Sequence, residues 1–528
     1  MDISAFGVRA LSAYLKLHGY AVRTVLIPGG VEEYKYRTGF VYEYEPRLLQ
    51  EVEDVCRGSD LIGISLMTHY FDRARQLTQH LKKSLQVPII WGGIHPTVRP
   101  EESLEYADLV MVGEGEEALL ELVGRLAAGQ DTQNIQNIWL KKGEEIIRNP
   151  LRPLIQDLDR LPFFDFGLEE HYLYCNREKS LKPLDKELLK QNLPQEPAPH
   201  GTFIDAFRRT INYKTMTSRG CPHHCTYCAE RTLALMYRGQ RYLRFRSAEH
   251  VMAELKWVKT EFPFIESIFL FDDTFMARSL QDIQNFSRLY KQEIGLPFCI
   301  QASPTTTTSE KMEALVDAGL FFVEMGIQTV SHTGMAIYRR QVKPEKILEA
   351  ARTIHSFYPK IHPPCYHVIL DNPWETSADI AQTLDLVLRL PRPFWLKRAS
   401  LTLFPGTELL DRAVREGLIC TKEDERRLIY SKHLHTPEGS YLNFLVYLAG
   451  FSYFPRSLVR LLAHPRLVRT FEIPQLRGVF HTLQRFGDGL IVVYKGLRAL
   501  LTGDFRRIRN YWARGRDGSK KRTMPLAG

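Results

Sequence analysis

Apolar positions along residues 1–135 recur in two patterns that take turns, a period near 3.6 and short continuous runs. The helical period covers residues 8–18, 45–56, 71–84 and 116–126, and between these segments 22–27, 61–65, 88–91 and 109–112 read as strands. Such alternation is that of an open, Rossmann-like α/β sheet. Turn chemistry falls at the strand ends, where sheets of this kind bind ligands. It comprises Ser65 and Thr68, then Gly92-Gly-Ile-His-Pro-Thr97, then Gly113-Glu-Gly-Glu116.

Beyond this unit, residues 138–149 have the pattern of a β-hairpin around Lys142-Gly143, and 153–166 form a connector rich in Pro and Asp. Residues 168–211 are polar and proline-punctuated, which fits a lid or, more simply, a disordered insertion. From Tyr213 a strand-then-helix unit repeats. Strands at 213–217, 267–271, 298–302, 322–325, 367–370 and 396–403 predict a partial (βα)6 barrel of the TIM type. The chain divides on this reading into 1–135, 136–211, 212–407 and a helical extension, 408–528.

A chain of 528 residues exceeds what one core organises, so several domains are expected. The net charge of +9 is unevenly placed: residues 456–528 hold 16 Lys/Arg against 4 Asp/Glu, leaving 54 against 57 upstream. The extension reads as helical at 457–462, 490–501 and 505–512, and basic helices of this kind fit a solvated face, a cover for the barrel mouth, an acidic substrate or contact with an anionic membrane surface. Nothing resembles a nucleic-acid module, and no nucleic-acid partner is expected. The most apolar stretch, 441–455, is interrupted by Asn443 and Gly450 and is too short to span a bilayer. Cys56, Cys175, Cys299, Cys365 and Cys420 show no paired spacing and nothing N-terminal reads as a signal peptide, so a reducing cytoplasm is expected.

The remaining cysteines are clustered. Cys221, Cys225 and Cys228 lie in Thr217-Ser-Arg-Gly-Cys-Pro-His-His-Cys-Thr-Tyr-Cys-Ala-Glu230. Three thiolates are one short of a closed zinc site, whereas an iron–sulfur cluster held by three cysteines keeps one iron open. A zinc knuckle completed by His223, His224 or a distant cysteine is the competing reading.

The triplet, with an aromatic before its last cysteine, resembles the signature of the radical S-adenosylmethionine (SAM) superfamily. Together with the three upstream turns, it resembles the B12-binding-domain-containing radical SAM proteins, over about residues 1–165 and 212–410. That resemblance implies a [4Fe-4S] cluster on the three cysteines, and SAM cleaved to a 5′-deoxyadenosyl radical near Tyr227, Asp272, Asp273, Gly326 and Gln328. It also implies cobalamin against Ser65, Thr68, Gly92, Gly93, His95, Gly113, Glu114 and Gly115. The activity implied is methyl transfer to an unactivated carbon. Radical cyclisation, rearrangement or oxidation is the alternative, and an inactive cofactor-binding module a second. Implied partners are a small-molecule or lipid-like substrate, an electron donor such as flavodoxin or ferredoxin, and a membrane surface touched peripherally by the basic C-terminus.

Three departures from the family pattern stand out. Gln328 and Thr329 occupy positions where relatives carry Glu and Ser, which removes a charge-assisted contact to SAM. No Asp-x-His-x-x-Gly stretch is present, so a histidine beneath cobalt is not expected, and His69 or His95 would be weak substitutes. Finally, the chain opens at what should be the first helix, which predicts a missing first strand and leaves 22–27 and 61–65 unpaired with one another.

Overall fold

The computed structural model describes residues 3–27, 44–175, 178–193, 210–425 and 437–501. Its first sheet has five strands in the order Ile62–Ser65, Ile89–Gly92, Leu109–Met111, Ile138–Lys142 and Glu145–Arg148. The first three are parallel, and the hairpin joins antiparallel to Leu109–Met111. The hairpin is therefore part of this sheet rather than of a linker. Successive residues of the central strands feed opposite faces, as a pleat requires. Trp91 and Val110 pack with Phe71 and Leu81 on one side, and Ile90 and Met111 with Leu122 and Ile138 on the other. The buried Trp91 indole donates to Thr78 Oγ1 at 2.9 Å.

Thr24–Leu26 does not join that sheet. It pairs parallel with His171–Cys175, which pairs antiparallel with Ser180–Pro183. The expected disorder of 168–211 is corrected over 171–175 and 178–193, while 194–209 lie outside the described residues. Leu173 is fully buried and packs with Leu26, Leu184 and Leu189, so enough apolar surface is covered to offset the ordering of a polar stretch. The helix Lys186–Asn192 begins at Asp185, whose carboxylate accepts from the Leu188 amide at 2.7 Å.

Six parallel strands follow in chain order: Asn212–Thr215, Ser267–Leu270, Phe298–Ala302, Leu320–Gln328, Cys365–Leu370 and Trp395–Ser400. These match the six predicted positions within a few residues at each end. Outward residues such as Ile268, Ile300, Val323 and Tyr366 meet the surrounding helices, and inward Phe269, Cys299, Phe322 and Trp395 form a separate cluster in the lumen. Ser or Thr side chains start the helices, as at Ser247, Ser279, Thr308 and Thr376, and the last adds a reciprocal capping box with Asp379.

The apolar stretch near 441–455 becomes the helix Tyr441–Ala449, which buries Leu442, Leu445 and Val446 against the barrel helix Ser377–Arg389. Helices Arg456–Leu462, Pro465–Phe471 and Arg477–Leu501 continue the extension, covering the predicted helices at 457–462 and 490–501; the predicted 505–512 helix lies outside the described residues. Among the described residues no helix is long and apolar enough to cross a membrane.

If 171–193 belongs to the core, Leu173→Ala should destabilise the protein by about 2–5 kcal/mol, read as a lower chemical-denaturation midpoint. A midpoint within error of the parent would mean the segment is not packed as described.

Candidate cofactor site

Strand Asn212–Thr215 runs into the cysteine loop, and the turn between them is set by a buried carboxylate. Asp272, fully buried after strand Ser267–Leu270, accepts from the amides of Thr217 (2.6 Å) and Ser218 (3.0 Å) and from the Thr217 hydroxyl. Arg278 closes the group at 3.1 Å from the same carboxylate. Asp272 is thus occupied by protein partners and acts as a strut beneath the loop, a correction to its expected place against SAM. At Gly220, φ is +88° and a Cβ would meet the Tyr242 carbonyl oxygen at 2.6 Å, so only glycine fits there.

Burial pushes the Cys221 and Cys228 thiols up to about 12, with Asp273, Glu230 and Cys225 adding to it. Thiols so placed ionise when a cation takes the place of their protons, which is the donor chemistry a metal centre needs. Two sulfurs on one zinc, each at 2.3 Å, can be no more than roughly 4.6 Å apart. Among the described residues the donors of Glu324, Cys365 and His367, in the barrel lumen, all come within 4.8 Å of one another. Arg340 brings a positive charge to the cysteine loop, with Nη1 at 3.6 Å from Cys225 Sγ and Nη2 donating to the Gly326 carbonyl at 2.9 Å.

The positions expected near SAM are arranged around this loop in different ways. The Tyr227 ring packs edge-on against Tyr338 at 4.9 Å. Gln328 ends its strand with φ +73°, where the register against Cys365–Leu370 shifts, and its amide folds over Gly326, so that a Cβ at Gly326 would meet Nε2 at 2.6 Å. A non-glycine residue held in the left-handed region at a bulge is the kind of local strain found at ligand sites. Asp273 faces a cavity, and burial, with Glu230 and Asp272, pushes its carboxyl up to about 7. Glu230 is raised as well, chiefly by burial, and accepts from the Tyr242 hydroxyl at 2.8 Å. This acid pair can hold a proton near neutral pH on the cavity wall.

That cavity, about 1280 Å³, exceeds the roughly 300–1,000 Å³ of a pocket for a drug-sized ligand. It is lined from the first sheet by Ser65, Gly92, Gly93 and Gly113–Glu116, and from the barrel by Ser218–Gly220, Tyr242 and Asp273. It also reaches between Val22–Thr24 and Leu61–Ser65, the two segments that belong to different sheets. The Gly93 turn (φ +96°) lies so close to Leu66 that a Cβ would sit 2.8 Å from its carbonyl oxygen. A cavity of this size, walled by bare glycine backbone on one side and reaching Gly220 beside the cysteine loop on the other, has room for a large cofactor.

Two of the residues expected on this wall lie off it. Thr68 and His95 point into their own domain: Thr68 Oγ1 lies 3.2 Å from His95 Nδ1, and the fully buried His95 packs on Phe71. Neither lines the cavity. Glu114 lines it, but its carboxylate is engaged by Arg244 (2.6 Å) and Arg219 (3.4 Å). The space that a Cβ would fill at Gly113 is taken by the Tyr237 hydroxyl of the barrel, to which the Glu114 amide donates. Arg219 also pairs with Glu116. Burial works against both charges, yet Glu116 is held below the usual carboxylate range by Arg219, and Arg219 above its ordinary value by Glu116 and Glu114. Arg219, Arg244, Tyr237 and Arg340 were not singled out by the sequence. Arg219 could have been, since it stands two residues before Cys221; nothing local flags the others.

A radical SAM superfamily model matches residues 215–387, and a B12 binding domain model matches residues 1–123. Among curated proteins the chain is 26% identical to an uncharacterized methyltransferase of Pyrococcus horikoshii, over 69% of this chain and 71% of that one. It is 23% identical to the cytidylyl-2-hydroxyethylphosphonate methyltransferase of Streptomyces wedmorensis, over 82% of each. In fold it is similar to the radical SAM methyltransferase TsrM of Kitasatospora setae, solved with cobalamin and a [4Fe-4S] cluster bound. The TM-score is 0.56 at 16% identity, covering 79% of this chain and 72% of that one.

Burial lowers His95 to about 3, against 6.5 when exposed, so the unfolded chain takes up a proton that the folded chain refuses. Its contribution to stability is intact above pH 6.5 and is lost progressively as pH falls towards 3. At pH 5 the loss is on the order of 2 kcal/mol. Denaturation midpoints at pH 7.5 and pH 5 should therefore differ more for the parent than for His95→Gln. Equal differences would show that His95 is not buried in its neutral form.

Proposed function

We propose that this chain, a B12-binding-domain-containing radical SAM protein, transfers a methyl group to an unactivated carbon of a small-molecule or lipid-like substrate. Its cofactors are a [4Fe-4S] cluster, SAM and cobalamin. The observation that best supports methyl transfer is the single cavity walled by the Gly92–Gly93 and Gly113–Gly115 turns on one side and by Gly220 and Asp273, next to the cysteine loop, on the other. A methyl carrier and a radical source must reach one substrate carbon, and a shared cavity gives them that access. Both curated relatives above carry methyltransferase names, which agrees with this reading.

When bound, the cluster and SAM supply a carbon-centred radical, and cobalamin supplies a methyl group. Cys221, Cys225 and Cys228 would hold the cluster, and Asp273, Gln328, Gly326 and the backbone at Tyr227 would border SAM. Ser65, Gly92, Gly93 and Gly113–Gly115 would receive cobalamin through backbone and hydroxyl contacts. Asp273 and Glu230 keep a proton on the cavity wall, and the Arg219–Glu116 pair ties the cysteine loop to the Gly113–Glu116 turn. Residues 1–135 with the hairpin then form the cobalamin unit, 212–407 the radical barrel and 408–528 its cover. A one-electron donor such as flavodoxin or ferredoxin would serve it in the cytoplasm, with the basic C-terminus reaching a membrane surface.

The test is anaerobic reconstitution, then incubation with methyl-labelled SAM and a small-molecule extract of the source cells. Methyl transfer predicts both S-adenosylhomocysteine and 5′-deoxyadenosine, with label in a third compound, and Cys225→Ala should abolish 5′-deoxyadenosine. 5′-Deoxyadenosine alone would replace methyl transfer by cyclisation, rearrangement or oxidation. Neither product would mean an inactive cofactor-binding module.

A further inference from the structure

The C-terminal helices present an unusual surface. Along Arg477–Leu501, Val479, Leu483, Phe486, Leu490, Val493 and Leu497 are all exposed, between 43% and 64%. Their spacing of four and three residues in alternation sets them in one stripe along the helix. The neighbouring face, with Phe480 and Gln484, is buried, and the helix leans there on Tyr441–Ala449. Leu458, Leu461, Phe471 and Ile473 on the preceding elements are exposed as well, so the extension as a whole shows far more bare apolar surface than scattered single residues.

Charge on the same elements is one-sided. Residues 456–501 hold eight Lys/Arg and two Asp/Glu. Both acids are engaged by the helix Tyr441–Ala449: Glu472 accepts from the Leu442 amide at 2.7 Å, and Asp488 from the Tyr447 hydroxyl at 2.9 Å. Arg460, Arg466, Arg469 and Arg485 are exposed. Residues 502–528 add eight Lys/Arg and two Asp/Glu in sequence.

We propose that this face is a docking surface for an anionic lipid bilayer, with the Arg477–Leu501 stripe entering the headgroup boundary and the arginines meeting lipid phosphates. The surface gives the membrane contact named above a definite location, and it does not depend on which reaction the cavity performs. A second copy of the chain fits less well. Thr482, Gly489, Gly496 and Gly487 flank the stripe where a two-stranded coil places paired charges, and two copies would set arginine against arginine. Anionic lipid satisfies both features at once, because apolar burial and attraction to the headgroups act together at an interface.

Flotation of the full-length reconstituted protein with phosphatidylcholine vesicles, with and without phosphatidylglycerol, decides the matter. The bound fraction should rise at least about tenfold with phosphatidylglycerol and fall back at high salt. Phe486→Asp/Leu490→Asp should lose that gain, as should Arg466→Gln/Arg469→Gln, which leaves the apolar stripe intact and guards against a folding defect in the first variant. Both variants should cleave SAM at the parent rate, since neither pair borders the cavity; SAM cleavage and flotation thus fail independently. Absence of flotation at low salt, or unchanged binding by both variants, overturns the proposal. A dimer by light scattering that Phe486→Asp/Leu490→Asp dissolves, without vesicle binding, assigns the face to a second copy instead.

Discussion

Two carboxylates and two guanidinium groups govern how the halves of this molecule meet. Glu114 and Glu116 lie in the turn after Leu109–Met111 of the first sheet, and Arg219 and Arg244 come from the cysteine loop and the short strand paired with it. Arg244 is 1% exposed and Glu116 5%, so these charges are tolerable only while each faces its partner. Removing one partner of such a buried pair costs about 3–5 kcal/mol. The same pairs need not add net stability over an apolar interface; what they add is a single allowed docking geometry. Tyr237 reinforces it by filling the space beside Gly113.

From that docking the rest of the site follows. Arg219 is two residues from Cys221, and Ser218 and Thr217 are held by the buried Asp272, so the cysteine loop is fixed from both domains. The cavity lies along this seam, with glycine turns as one wall and an acid pair as another. Arg340 adds a positive charge beside Cys225, and the Gln328 bulge brings its amide over Gly326. Long-range chemistry between two cofactors therefore depends on short-range electrostatics between two loops. Covering the barrel from outside, the Tyr441–Ala449 helix frees the Arg477–Leu501 stripe to face outward.

Much of this was legible in the chain. Ladder strands such as Phe298–Ala302 and Ser267–Leu270 are short apolar runs with helical periods between them, and local pattern is enough to find them. Cys221, Cys225 and Cys228 were legible because ligand spacing is itself a local property. Pairing that is set by tertiary contact was not: His171–Cys175 lies between Thr24–Leu26, far away in the chain, and Ser180–Pro183, and its sequence surroundings are polar. Asp272, His95 and Thr68 carried the right residue types at the right turns, yet Asp272 is engaged by the Thr217 and Ser218 amides, and His95 and Thr68 contact one another away from the cavity. Arg244 and Tyr237 lacked any signal, since an arginine 130 residues from its carboxylate partner has no sequence period to betray it.

The central claim is that one cavity places cobalamin against a cluster held by the three cysteines. Anomalous scattering from crystals of the anaerobically reconstituted protein, recorded at the iron and cobalt edges, tests it directly. The iron peak should lie at Cys221, Cys225 and Cys228, and the cobalt peak inside the cavity between the Gly92–Gly93 turn and Asp273. Cobalt outside that cavity, or a zinc signal in place of iron at the three cysteines, would contradict the account.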